Sequence, residues 1–340
     1  MSSPVAERLY IQTNSTDENE IAVFTRSADG TLLPSGRFRC DGFGNGLGAD
    51  SQGSVALSAD GQFLFAVNAG SNTISSFAIV ESGLRLVGTV PAGGPNPLSI
   101  GVHGTQLYVV DSFGIGGITG YAIEPDGQLS RLTDSRRPLS DKNVNPAQVS
   151  FTPDGQFLIV TERNTSLLTT YQIGPDGLPG QPESVKSAGP VPFGFAFDPQ
   201  SRLIVSEAAN STVSSYRLDP SGRSIVISES VPTNGAAACW IAITPNGEFA
   251  YSANTGSGTI SGFRIEYDGS LVPLDGGRTG VTGDNSFPSD MAISGDGRTL
   301  YVLNVGSQTV GAFEVQQGGS LAPLPFVGGV PSSASGMVIR

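Results

Sequence analysis

The sequence predicts an all-β chain folded as a seven-bladed β-propeller, with four-stranded antiparallel blades and a ring closed by pairing of the N- and C-terminal strands. Three observations carry this. Two families of tight turn recur along the chain. The glycines closing the second family are spaced 44 to 53 residues apart, the period of a propeller blade. Short β-prone runs fill the intervals, and no window of a dozen residues shows a helical stripe. The composition agrees: 46 glycines and 23 prolines among 340 residues, with only 14% charged, describe turns and apolar runs rather than helices. The length alone fits two domains of about 150 residues, but the repeat runs throughout, so one propeller is expected over residues 1–340.

The first turn family reads Ala59-Asp60-Gly61, His103-Gly104, Pro153-Asp154-Gly155, Pro199-Gln200-Ser201, Pro245-Asn246-Gly247 and Gly295-Asp296-Gly297. The second reads Asp29-Gly30, Ser82-Gly83, Asp126-Gly127, Asp176-Gly177, Ser221-Gly222, Asp268-Gly269 and Gly318-Gly319. Asp-Gly and Asn-Gly pairs supply the positive φ that such hairpins require.

The clearest blade has an inner strand over 55–57, a second over 63–67, a third over 73–79 and a fourth over 84–90. Third strands follow at 118–123, 168–173, 213–218, 260–265 and 310–315. Their alternation is imperfect, as expected where both faces of a blade are covered by neighbours. One turn fewer in the first family than in the second predicts a shared blade. Residues 336–339 supply its inner strand, and 9–11, 21–24 and the run after Gly30 supply the others, leaving no exposed edge.

Eighteen basic and thirty acidic residues leave a net charge of −12, which argues against nucleic-acid binding. No apolar run is long enough to span a membrane, and residues 1–8 lack the apolar core of a secretion signal. Cys40 and Cys239 make neither a disulfide framework nor a metal cluster and read as free thiols of a reducing compartment. A cytoplasmic monomer acting on a small molecule, without cofactor or metal, is the expectation.

Both turn families fall on one face of the ring. The opposite face carries the longer loops at 111–117, 162–166, 207–211, 254–258 and 304–307, with the crossings at 39–51, 134–146 and 275–288. Functional residues concentrate on such loops. Glu162 and Glu207 end the second strands of adjacent blades there, where Asn68, Asp111, Asn254 and Asn304 stand on others. Two carboxylates and Arg163 offer a general acid, a general base and a group to steady an oxyanion; a loop salt bridge is the equal alternative. Arg136, Arg137 and Lys142 form a small basic group able to attract an anion. Gln148, Trp240 and Asp290 begin inner strands and are candidates to line the axial channel. His103, the only histidine, falls in a plain-face turn, which excludes a Ser-His-Asp triad at the mouth. The glycine-rich run at 42–48 precedes a strand, not a helix, and reads as a crossing loop rather than a phosphate cradle.

The segments at 146–158, 249–254 and 300–304 resemble the propeller lactonase family, which includes 6-phosphogluconolactonases and fungal carboxymuconate cyclising enzymes. The blade pattern extends this resemblance over essentially the whole chain. It implies a lactone-opening hydrolase or an isomerase working on a small lactone or sugar-acid substrate at the axial mouth. The family pattern has histidine at the place of Ala147, Arg-His at Phe193-Gly194 and arginine near Thr255; a catalytic glutamate falls close to Glu207. With these groups replaced, Glu162 and Arg163 stand as a substitute constellation. The alternatives are a non-catalytic propeller that binds a small molecule or protein, and a divalent-cation site on acidic loops.

Overall fold

The computed structural model describes residues 7–48 and 51–340; the leader reading at the extreme N-terminus, and positions 49–50 of the first crossing, lie outside them. Seven antiparallel sheets form the ring. Blade 1 runs outward from Ser335–Ile339 through Arg8–Gln12 and Glu20–Arg26 to Leu32–Arg39, so the two ends of the chain share one sheet as expected. The inner strands of blades 2 to 7 are Val55–Leu57, Pro97–His103, Pro146–Phe151, Pro192–Phe197, Ala238–Ile243 and Pro288–Ile293. Each inner strand touches the next around the axis.

The turns behave as their residues require. All seven second-family glycines hold φ between 78° and 124°, a region that costs a Cβ-bearing residue. Ser201, the one first-family member without glycine, still adopts φ 62°.

Two fourth strands are broken. In blade 3, Leu129–Arg131 is followed by a separate piece, Arg137–Pro138; in blade 6, Leu271–Pro273 and Gly280–Val281 flank a 3-10 turn at Asp275–Gly277. Side-chain hydroxyls replace the missing backbone: Gly120 N–H donates to Ser135 Oγ at 3.0 Å, and Gly262 N–H donates to Thr279 Oγ1 at 2.8 Å. The chain can therefore leave the sheet without orphaning a buried donor. Arg137, expected on a loop-face crossing, belongs instead to this outer edge.

The core is divided among the blade interfaces. Seven buried clusters lie between neighbouring blades, as where Tyr108 and Val110 of blade 3 meet Val149, Phe151 and Leu158 of blade 4. That two-sided burial is why strand alternation was imperfect. Clasps on the plain face join blades pairwise: Tyr108, Tyr251 and Tyr301 donate to the carbonyls of Gly177, Gly319 and Gly30 in the next blade's turn, at 2.7, 2.8 and 2.7 Å.

Candidate functional site

Every second strand ends on a buried polar residue: Gln12, Asn68, Asp111, Glu162, Glu207, Asn254 and Asn304, none more than 1% exposed. The three asparagines donate to hydroxyls of the third strand, whereas the two glutamates also fasten loop-face backbone. Glu162 accepts from Ser140 N at 3.0 Å, from Thr165 and Thr169 hydroxyls at 2.8 Å each, and from Ser140 Oγ. Glu207 accepts from Gly189 N at 2.7 Å and Ser214 Oγ at 2.6 Å, and also from the Thr212 hydroxyl. A Cβ at residue 189 would stand 2.2 Å from the Glu207 carboxylate, so any larger residue there would have to push the carboxylate out of these bonds. Both candidate carboxylates are thus sealed within their own blades. Neither meets solvent, and neither forms a salt bridge with Arg163 among the described contacts.

Asp111 holds the same place on blade 3 but faces a cation. Arg136 grips both its oxygens at 2.7 and 3.2 Å. Burial pushes the Asp111 carboxyl upward in pKa, opposed by the bonds and charge of Arg136. Arg136 is therefore committed to Asp111, and Arg137 to the carbonyls of Gly180, Asp134 and Arg136. The three basic candidates do not form one anion site: Lys142 lies exposed on the crossing beyond them.

The inner strands enter the ring through a bulge. Pairing slips between Pro97 and Ser99, Pro146 and Gln148, Pro192 and Phe195, Ala238 and Trp240, and Pro288 and Asp290. Such a bulge leaves residues out of the ladder and re-aims them; here these are Leu98, Ala147, Phe193-Gly194, Cys239 and Ser289. Arg163, next after Glu162, meets this group. Its guanidinium sits 5.1 Å above the Phe193 ring, and its Nε donates to Asn145 O at 3.0 Å. Burial pushes the Cys239 thiol up to about 11, against a hydrogen bond with Thr255 and the charge of Arg163. The thiol is inert at neutral pH.

A plug crosses the axis below this group. The first crossing does not run straight into blade 2; its residues 51–54 turn into the ring. Ser51 Oγ donates to Leu98 O at 2.9 Å, and Ser51 O accepts from Trp240 Nε1 at 3.1 Å. Gln52 N donates to Ala147 O at 3.1 Å, and Ile100 N donates to Gly53 O at 2.7 Å. Blades 3, 4 and 6 are tied together through three residues. This also explains why the inner strand of blade 2 has only three residues.

The axial candidates are used in the same way. Gln148 accepts from Phe195 N at 2.6 Å and donates to Phe195 O at 3.0 Å. Asp290 accepts from Met291 N at 2.8 Å and Met337 N at 2.9 Å. Trp240 is 1% exposed and lies 5.0 Å from the Phe193 ring. Gln148 and Asp290 stitch neighbouring inner strands together and Trp240 holds the plug. His103 sits on the plain face beside Phe151, ring centroids 5.7 Å apart. Among the described residues, no three of His, Cys, Asp and Glu gather where they would hold a metal ion, and no helix is long and apolar enough to cross a membrane.

Residues 8–131, 118–221 and 204–276 match the family described as "Lactonase, 7-bladed beta-propeller". The chain belongs to this family. Among its propeller-lactonase relatives, a 6-phosphogluconolactonase of Serratia proteamaculans (strain 568) is 26% identical over 220 residues, 63% of this chain and 64% of that protein. A 6-phosphogluconolactonase of Bacillus subtilis (strain 168) is 22% identical over 257 residues, covering 71% and 68%. The solved structure of PpgL, a periplasmic gluconolactonase of Pseudomonas aeruginosa, superposes with a TM-score of 0.81 at 19% identity, over 98% of both chains; it shares the fold. Ala147, Phe193 and Cys239 share one buried cluster, with Arg163 over the Phe193 ring and Thr255 bonded to the Cys239 thiol. The Serratia protein is matched over slightly less than two thirds of its length.

Proposed function

We propose that this propeller lactonase hydrolyses a small lactone at the loop-face mouth, above the plug, with Arg163 as the residue that meets the reacting carbonyl. The supporting observation is the convergence of Arg163, Phe193, Cys239 and Thr255, two of which, Phe193 and Thr255, stand where the family resemblance implies basic groups. Arg163 is steadied by the Phe193 face and by Asn145. A cation fixed in that way stabilises the oxyanion as water adds to the carbonyl carbon. The ring C–O bond then breaks, the ring oxygen takes a proton, and the hydroxy acid released ionises. Glu162 and Glu207 act as positioning residues: the first fixes the loop that carries Arg163, the second the crossing that leads to Phe193. The replacement of the family's basic groups by Ala147, Phe193 and Thr255 favours a second reading, a propeller that binds such a molecule without turning it over. In either reading the protein works in a reducing compartment such as the cytoplasm, for which its two free, buried cysteines speak, and as a monomer.

The test is acid release, followed in a pH-stat over sugar and aliphatic lactones, with Arg163→Ala and Arg163→Lys beside the parent. Enzyme-dependent release whose kcat falls about 100-fold in Arg163→Ala, with KM changed far less, supports the hydrolase. Release untouched by either substitution removes Arg163 from the chemistry. No release on any lactone selects the binding reading.

A further inference from the structure

Between neighbouring blades the plain face is scored by grooves. Each is bounded by the inner-to-second turns of two blades and by the end of the second blade's third strand. Among the described residues, three of these grooves are occupied by arginines of the chain itself. Between blades 7 and 1, Arg26 Nη2 meets Asp296 Oδ2 at 3.1 Å, its Nε donates to Tyr301 OH at 3.1 Å, and its Nη1 meets Glu7 at 3.1 Å. Between blades 5 and 6, Arg202 Nε meets Asp198 at 2.5 Å, and Nη1 donates to the carbonyls of Glu266 and Tyr267 at 3.2 and 2.8 Å. Between blades 1 and 2, Arg8 donates to the carbonyls of Val80 and Glu81 at 2.8 and 2.5 Å.

The groove between blades 2 and 3 is built alike but open, a cavity of about 500 Å³. Asp60 stands where Asp296 stands on blade 7, and its turn closes in the same way. Asp60 Oδ1 accepts from Gln62 N at 2.9 Å and Ser58 Oγ at 2.6 Å; Asp296 Oδ1 accepts from Arg298 N at 3.0 Å and Ser294 Oγ at 2.5 Å. The bonds from Ser58 and Gln62 hold the Asp60 carboxyl below its ordinary pKa, so it is anionic at neutral pH. Asp60 Oδ2, the counterpart of the atom that meets Arg26, has no partner among the described hydrogen bonds and ion pairs. The arginine itself is missing: Arg26 ends the third strand of blade 1, and Ile123 ends that of blade 3. The next residue, Ser27 in blade 1, is Glu124 in blade 3, a second carboxylate without a described partner. Phe63, Ala122 and Ile123 wall the same cavity and suit the methylenes of a long side chain. Arg340 nears Asp60 only across Gly61, from the blade 1 side, and does not line the groove.

The groove between blades 6 and 7, about 310 Å³, provides an internal contrast. Val315 ends that third strand, so this groove also lacks the arginine. Here Asn246 stands in the place of Asp60 and Gln316 in that of Glu124. The exposed Glu248 follows the turn, and Asp296 is already committed to Arg26.

We propose that the groove between blades 2 and 3 binds a guanidinium on an alkyl stem, the head at Asp60 and Glu124 and the stem along Phe63 and Ile123, all of which line it. A planar guanidinium, rather than an ammonium, is what this fold seats in the three occupied grooves, where its fork reaches carboxylate, carbonyl or hydroxyl oxygens. The ligand is a small free guanidine or the arginine of a partner protein, and a net charge of −12 favours the approach of either. The site lies on the face opposite the mouth and is independent of the hydrolase reading.

The test titrates agmatine, butylamine and N-acetyl-arginine amide into the whole chain at low ionic strength, where such pairs are least screened. The Thr105 and Ile123 amide signals in 1H–15N spectra report the site. Agmatine should shift both saturably, and butylamine should bind about fivefold more weakly. Asp60→Asn should weaken agmatine about threefold to fivefold. Its turn survives, since Asn246 Oδ1 accepts from Glu248 N at 3.1 Å in the same way. Ile123→Arg gives the groove an arginine of its own and should abolish binding, whereas Val315→Arg, between blades 6 and 7, should leave it. Saturable shifts with agmatine but not with acetyl-arginine amide support the groove and make a small guanidine its ligand. Shifts with both support it and admit a partner's side chain. No shift by about 10 mM agmatine, an equal affinity for butylamine, or binding that survives both Asp60→Asn and Ile123→Arg overturns the proposal.

Discussion

The side-chain amide of Gln52 pairs with the backbone of Ile241 as a neighbouring strand would: Nε2 donates to Ile241 O at 2.9 Å, and Oε1 accepts from Ile241 N at 3.1 Å. Gly194 lies beneath it, since a Cβ there would come within 2.0 Å of Oε1. Ile241 is 1% exposed, so nothing else is at hand to satisfy its backbone.

Gln52→Ala should therefore destabilise the ring by about 2–3 kcal/mol, the cost of leaving a buried donor and acceptor unpaired. Urea unfolding measures it. A midpoint within error of the parent would mean that the plug contributes nothing to closure.

Asp290 gives a pH signature. Burial, opposed by two backbone N–H bonds, pushes its carboxyl from 3.8 up to about 8. Below the unfolded value the group is protonated in both states and costs nothing. Between the two values the folded state holds the proton that the unfolded chain has lost, so stability falls as pH rises. Above about 8 the fall levels off. Asp290→Asn has one acceptor oxygen for the two N–H groups of Met291 and Met337, so it should begin less stable near pH 4. The decline between pH 4 and 8 should be smaller in that variant by about 2 kcal/mol or more. Parallel stability curves for the two proteins would contradict the placement of this proton.

Glu207→Gln and Glu162→Gln test the positioning role. Each substitution turns an amide NH2 toward hydroxyl or backbone donors that now bond a carboxylate, at an expected cost of about 2 kcal/mol. If they only position their loops, whatever turnover remains should keep the parent's pH profile. Loss of one limb of that profile with stability intact would restore the glutamates as proton-transfer groups.

Tyr251→Phe removes the clasp to Gly319 between blades 6 and 7 and should cost about 1 kcal/mol without moving KM. Calorimetric melting reads the first and the lactone assay the second. No change in melting would leave blade cohesion to the apolar interfaces alone.

The sequence told much of this because turn chemistry is local. Asp268-Gly269 or Asn246-Gly247 states its own backbone geometry, and the repeat of such pairs states how many blades there are. The sharing of blade 1 followed from a missing turn. The candidate site was less legible, since its meaning depends on which way a residue faces. Glu162 and Glu207 look alike whether they end a strand inside the blade or in the mouth; their equivalence with Asn68 and Asn254, visible in the sequence, was the available sign of a fastening role. Gln12 ends the corresponding strand of blade 1 and was missed, because that blade is divided between the two ends of the chain. Nothing in Ser51-Gln52-Gly53 announces a plug, whose partners lie on blades 50 to 190 residues away.

The plug also bears on how the ring can come apart. Ser51, Gln52 and Gly53 join the inner strands of blades 3, 4 and 6 through one short stretch of chain, so a blade that loosens at the axis withdraws a partner from segments far from it in sequence, and opening at one place is felt across the ring.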